Sequence, residues 1–288
     1  MSAYHENPGE YKISTIEFSA VYDLWFEQKS KEGLDRSTIN AYKNSFEMCA
    51  AIKSMKMADI KTAHLQSVID KSKKNHPMLR KFKSFLSGVY GYAMANDIVS
   101  KDYSEFVNIG KPSERKTVHV PFSLDEMKTL WDNVERYEFM DTVLIMIYTG
   151  MRIGELLLML TEDVHIDEKY MIGGLKSEAG KRRTIPLHNR IIPIIQKRYS
   201  DHNFLIYDGG QVSYDSYLSK RWTEIMEGLN MVHLPHDCRH TFATLADTYG
   251  MNKLCRKRIM GHAVTDVTDN VYTHKIIEEL ITEVNKLP

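Results

Sequence analysis

The chain has 288 residues, 43% hydrophobic and 26% charged, with 38 basic and 38 acidic side chains and a formal net charge of zero. That length holds two ordinary domains of globular composition, and the longest apolar runs, such as residues 143–148, are too short to span a bilayer. The polar start at Met1-Ser2-Ala3-Tyr4 lacks a secretory core, and three scattered cysteines (Cys49, Cys238, Cys255) suit reduced thiols, so a cytoplasmic protein with no membrane partner is expected.

After a polar tail over residues 1–13, Ser14-Thr15 opens a helix whose Phe18, Val21, Tyr22, Trp25 and Phe26 form one stripe. Gly33-Leu34-Asp35 breaks it. Ser37 or Thr38 then caps a second helix carrying Ile39, Tyr42, Phe46 and Ala50. A third starts at Thr62 with Leu65, Val68 and Ile69, and stops before His76-Pro77. A fourth runs from about Met78 through Phe82, Phe85, Leu86, Val89, Tyr90 and Ala93 to Asn96. Residues 14–108 therefore read as a small helical domain. Residues 109–121, polar and carrying a glycine and two prolines, read as an extended linker.

Ser123 and Glu126 form a capping box that starts a helix with Met127, Leu130, Trp131 and Val134. Phe139 to Thr149 is a strongly apolar helix ending at Gly150, and Glu155 to Leu160 predicts another. Three short strands follow over 163–166, 170–176 and 183–187, with the turn between the last two at Glu178-Ala179-Gly180-Lys181. Helices are then expected over 190–198, 214–228, 236–248, 253–261 and 276–287. The fold class is mainly α, with a small three-stranded antiparallel sheet in the second domain, residues 122–288.

The zero total charge conceals an asymmetry. Residues 1–121 hold 18 Lys and Arg against 14 Asp and Glu, a balance of +4, and residues 122–288 hold 20 against 24, or −4. A polyanion needs a basic stripe and not a basic total. Lys71, Lys73 and Lys74, followed by Arg80, Lys81 and Lys83, make such a local concentration. Lys220 and Arg221 add a second candidate contact.

The chemistry concentrates near the C-terminus, in His236-Asp237-Cys238-Arg239-His240, Gly261-His262 and Tyr272, with Arg152 and Lys176 upstream. Breaking a phosphodiester needs charge on the nonbridging oxygens, an in-line nucleophile and a proton for the leaving oxygen. Arg152 and Arg239 offer forks matched to phosphate, Lys176 a proton donor, His236 and His262 hydrogen bonds or proton transfer, and Tyr272 an attacking hydroxyl. His236 and His240 stand four apart, as in zinc proteases. Asp237 occupies the position where that pattern places Glu, and no third ligand is evident, so neither a metal nor any other cofactor is expected. No phosphate-cradling glycine loop supports ATP chemistry.

Taken together, Thr149-Gly150-Met151-Arg152-Ile153-Gly154-Glu155-Leu156, Lys176 with Gly180, Arg183 and Ile185-Pro186-Leu187, His236 to Thr244, Gly261-His262 and Val271-Tyr272-Thr273-His274 resemble the tyrosine recombinases, or phage integrases. The resemblance implies a helical, SAM-like core-binding domain over 14–108 and a catalytic domain over 122–288, clamped around double-stranded DNA. It implies Arg152 and Arg239 holding the scissile phosphate, Lys176 as general acid, His236 and His262 assisting, Glu155 orienting its neighbours, and Tyr272 forming a 3′-phosphotyrosyl bond. It further implies recombination through a Holliday junction by a homo-tetramer that exchanges C-terminal helices (residues 275–287), for integration or excision of a mobile element, with an excisionase or DNA-bending factor as a possible partner. The chain also resembles the phage and conjugative-transposon branch, whose members often carry an N-terminal arm-binding domain. Only about a dozen polar residues precede the first helix, so that domain is expected to be missing or removed. The alternatives are a type IB topoisomerase-like activity and a non-cleaving DNA-binding architectural or regulatory protein of the same fold.

Overall fold

The computed structural model describes residues 15–112, 119–174, 182–262 and 273–288. The chain folds as two compact units, Met1–Lys116 and Thr117–Pro288. Among the described residues no helix is long and apolar enough to cross a membrane.

The first unit is built from α1 (Phe18–Ser30), α2 (Arg36–Met48), α3 (Thr62–Ser72) and α4 (His76–Ala95). The α1 stripe is buried as its spacing requires, and Tyr22 stacks on Phe46 at 3.8 Å while Trp25 meets Phe85 edge-on at 5.5 Å. Each such aromatic pair adds about 0.5–1.5 kcal/mol beyond its buried area. Three local expectations shift. Asp35, not Ser37 or Thr38, caps α2, because its carboxylate accepts the Thr38 N–H at 2.9 Å and the Ser37 hydroxyl at 2.6 Å. Ala50 lies past that helix and is exposed, and Cys49 is buried in its place. Helix α4 starts at His76, since Asn75 caps it by accepting from Met78 N–H and Pro77 fits the first turn, where its missing donor costs nothing.

The second unit contains α5 (Leu124–Asp132), α6 (Met140–Thr149), the single turn α7 (Ile153–Leu156), strands β1 (Val164–His165), β2 (Tyr170–Gly173) and β3 (Arg183–Pro186), and α8 (Ile192–Arg198). A continuous helical rod over 214–228 follows, with a π-helical stretch at Tyr217–Trp222. Helices α9 (Pro235–Thr248), α10 (Lys253–Met260) and α11 (Thr273–Val284) complete it. The strands pair antiparallel in the order β1-β2-β3, with Met171 opposite Ile185. The Ser123–Glu126 capping box forms as expected. Helix α6 is buried nearly all round and packs on α9, at the centre of the larger core.

The helix expected over 155–160 is a single turn. Its continuation spends its backbone on a distant segment: Thr161 N–H donates to Asn203 at 3.0 Å and Leu205 N–H to Met159 at 2.9 Å. The C-terminal helix packs on its own unit, with Leu280, Val284 and Leu287 buried. His188 Nε2 donates to the Leu287 carbonyl at 3.2 Å, and Tyr148 Oη to the Pro288 carbonyl at 2.6 Å. Subunit exchange would therefore have to strip three apolar side chains and two hydrogen bonds, one of them buried, from their places.

Gly150 ends α6 in the left-handed region, with φ +64°. A Cβ there would stand 2.7 Å from Phe242 Cδ1 on α9. Gly150→Ala should therefore destabilise the second unit by about 1–3 kcal/mol from backbone strain and overpacking together. Thermal unfolding compared with wild type checks this, and an unchanged melting temperature would contradict it.

Candidate active site

Arg152 caps α7, its N–H bonding Glu155 Oε2 at 3.1 Å and its guanidinium Glu155 Oε1 at 2.9 Å. Arg183, at the start of β3, donates to the same carboxylate at 2.9 Å and to the Ile259 carbonyl at 2.7 Å. Glu155 and Arg183 are buried, whereas Arg152's side chain is 33% exposed and is the cation of this trio open to solvent. Burial alone would push the Glu155 carboxyl up. The Arg183 hydrogen bond and charge, and then the Arg152 contacts, outweigh burial and hold it below the usual carboxylate range.

Arg239, on the buried face of α9, is held by two carbonyls: Gly150 at 2.6 Å and Met260 at 2.5 Å. Its NH2 group also donates to His262 Nε2 at 3.0 Å. A nitrogen that accepts carries no proton, so His262 bears its hydrogen on Nδ1. His262 is set in place because Gly261 ends α10 in the left-handed conformation, with His262 N–H reaching back to the Lys257 carbonyl at 2.9 Å. Burial, then Arg239, Arg152 and Arg183, lower His262's affinity for a second proton. His236 is lowered by burial, then by His240, His119, Arg239 and Arg152.

The structure thus brings Arg152, Glu155, Arg239, His236 and His262 into one cluster, to which it adds Arg183. Arg152 and Arg183 share one carboxylate and Arg239 adds a third guanidinium within its field, leaving positive charge that an anion can neutralise. Arg183's buried role was missed from sequence, although alternation with Ile185 and Leu187 puts it on the inward face of its strand. Lys176 with its turn, and Tyr272, lie outside the described residues.

Of the candidate DNA contacts, Lys71, Lys73, Lys74, Arg80, Lys81 and Lys220 are exposed. Lys83 instead donates to the Glu105 and Val107 carbonyls, both at 3.0 Å. Arg221 pairs with Asp208 at 2.8 Å and with Glu138. Among the described residues no group of His, Cys, Asp or Glu side chains is placed to hold a metal.

Residues 121–279 match the phage integrase family and residues 17–72 the phage integrase N-terminal SAM-like domain. The chain belongs to the phage integrase family, the tyrosine recombinases. It is 24% identical to the tyrosine recombinase XerC of Pelobacter propionicus, over 90% of this chain and 91% of the relative. It shares the fold of the Tn1549 transposon integrase in complex with circular intermediate DNA (TM-score 0.69, 18% identity, 90% of this chain and 96% of that one). It also shares that of a lambda integrase tetramer bound to a Holliday junction (TM-score 0.70, 15% identity, 93% and 83%).

Proposed function

We propose that this chain is a site-specific recombinase that cleaves and rejoins double-stranded DNA for the integration or excision of a mobile element. The observation that carries the reading is the convergence of Arg152 and Arg239, braced by Glu155 and by the Gly150 and Met260 carbonyls, beside His262. The two guanidiniums bind the nonbridging oxygens of the scissile phosphate and stabilise the charge that builds during transfer. His262, its Nε2 engaged by Arg239, offers Nδ1–H to a phosphate oxygen. His236, whose ring makes no hydrogen bond among the described residues, offers a lone pair for the proton of the Tyr272 phenol, whose ordinary pKa of about 10 makes such help necessary.

Tyr272 Oη then bonds to phosphorus, the 5′ oxygen leaves with a proton from Lys176, and a 3′-phosphotyrosyl link remains. Attack by the 5′ hydroxyl of the exchanged strand reverses these steps. The phosphoester is conserved throughout, so neither ATP nor an external oxidant enters the balance. The exposed basic residues Lys71, Lys73, Lys74, Arg80, Lys81 and Lys220 would meet DNA phosphates. Recombination through a Holliday junction would use four copies. The lambda integrase tetramer on a Holliday junction, which shares this fold, supports that reading.

The test uses nicked suicide duplexes from the boundaries of the genomic segment carrying the gene. Wild type should form a denaturation-resistant protein–DNA adduct, and Tyr272→Phe should form none. An adduct with the Phe variant would unseat Tyr272 as the nucleophile. Binding by wild type with no adduct would favour an architectural role.

A further inference from the structure

The segment that enters the second unit is tied to the first turns of α9. His119 Nδ1 lies 2.7 Å from Asp237 Oδ1, and the other carboxylate oxygen accepts the Leu234 N–H at 2.8 Å. Asp237 is buried, and an ionised carboxylate only accepts, so His119 Nδ1 is the donor. Nearby, His233 Nδ1 lies 3.1 Å from the Val120 carbonyl, the His233 ring stacks on Phe122 at 3.8 Å, and Phe122 N–H donates to Thr241 Oγ1 at 2.8 Å.

His119 also touches the candidate site. Its ring lies nearly parallel to His240, with centroids 4.5 Å apart and an 11° tilt, and edge-on to His236 at 5.1 Å. Among the described residues the His236 ring makes no hydrogen bond. Its ring packs edge-on against His119 and His240. A proton acceptor held in this way depends on those neighbours for position.

We propose that His119 is a positioning residue for strand transfer: bonded to Asp237 and packed on His240, it holds His236 in register with Arg239 and Arg152. The inference rests on the recombinase reading above. Docking of residues 119–122 on α9 and assembly of the cleavage site then become one event. The groups facing His236 are His240 and Arg239 from its own helix, His119 from the incoming segment and Arg152 from the start of α7; Asp237 faces His119. His236 is already open to solvent on one side; loss of the His119 ring uncovers more of it and removes one electrostatic neighbour, so the His236 titration midpoint should rise.

Three variants test this. His119→Ala removes both ring and donor, His119→Phe keeps a ring, and His119→Asn keeps a donor near the Nδ1 position. His119→Ala should slow single-turnover cleavage about 10- to 100-fold, the scale of a roughly 1 Å misplacement of a reacting group, with DNA affinity unchanged. His119→Asn and His119→Phe should each recover part of that loss. Histidine C2–H exchange on the free protein should show the His236 midpoint raised in His119→Ala. Wild-type cleavage with an unmoved His236 midpoint would overturn the proposal. So would a parallel loss of melting temperature, DNA binding and cleavage with that midpoint unmoved, which marks a purely structural residue. If wild type itself forms no adduct, the recombinase reading fails separately, and the exchange measurement still decides whether His119 positions His236.

Discussion

Arg239→Lys is expected to cut the rate of covalent adduct formation by about 100- to 1,000-fold, the usual consequence of losing one preorganised donor to a charged transition state. The guanidinium spends N–H groups on Gly150, Met260 and His262 and still has others to present to a phosphate. An ammonium offers three donors from a single point and cannot span those partners. Burial and the neighbouring Arg152, only partly offset by Glu155, lower the Arg239 pKa to about 10, so it remains charged at neutral pH. The defect should therefore appear in the chemical step and not in DNA affinity. Stability should also fall by about 1–3 kcal/mol, because two buried carbonyls lose their donor. Single-turnover cleavage of a nicked duplex, paired with a mobility-shift Kd, separates the two effects. Cleavage at the wild-type rate would remove Arg239 from the phosphate clamp.

Glu155→Ala should destabilise the second unit by about 3–5 kcal/mol, the scale for removing one partner of a buried ion pair. Arg183 would be left charged, buried and missing its carboxylate, and Arg152 would lose the contact that aims it. Denaturant unfolding followed by Trp131 and Trp222 fluorescence measures the loss. Its pH dependence has a definite sign. The folded pKa of Glu155 lies below its unfolded value of about 4.3, so its contribution is fully present above that value. That contribution disappears as pH falls through the folded pKa. The stability gap between wild type and Glu155→Gln should accordingly be constant near neutrality and narrow in acid. A gap that widened on acidification would contradict the ion-pair account.

Much of the fold was legible because its signals are local. The α1 stripe, the Ser123–Glu126 capping box and the turn at Gly150 each depend on residues within a few positions of one another. The failures came where a distant segment competed. Residues 155–160 look helical by composition, yet the backbone over 159–161 pairs with 203–205. Ser37 and Thr38 are good caps by type, but the Asp35 carboxylate accepts from both of them. Lys83 and Arg221, candidate DNA contacts by their charge, also bond protein oxygens, which residue identity alone does not reveal. His119 carried no signal beyond its place in a linker, because its importance lies in what it packs against.

From sequence alone came the family, the mainly helical class with its small sheet, and the residue types that phosphate chemistry requires. The family came from the resemblance of those motifs to the tyrosine recombinases, the helical class from periodicity and capping, and the candidate site from residue types. Tertiary structure alone decided which cations converge on Glu155, that Arg183 joins them from a strand, that His262 bears its proton on Nδ1, and that the C-terminal helix lies on its own unit. The physical reason is common to all four. Helical periodicity and capping are satisfied within a turn or two of chain, whereas the meeting of charges, the placement of a proton and the seat of a terminal helix depend on partners that only folding brings into contact.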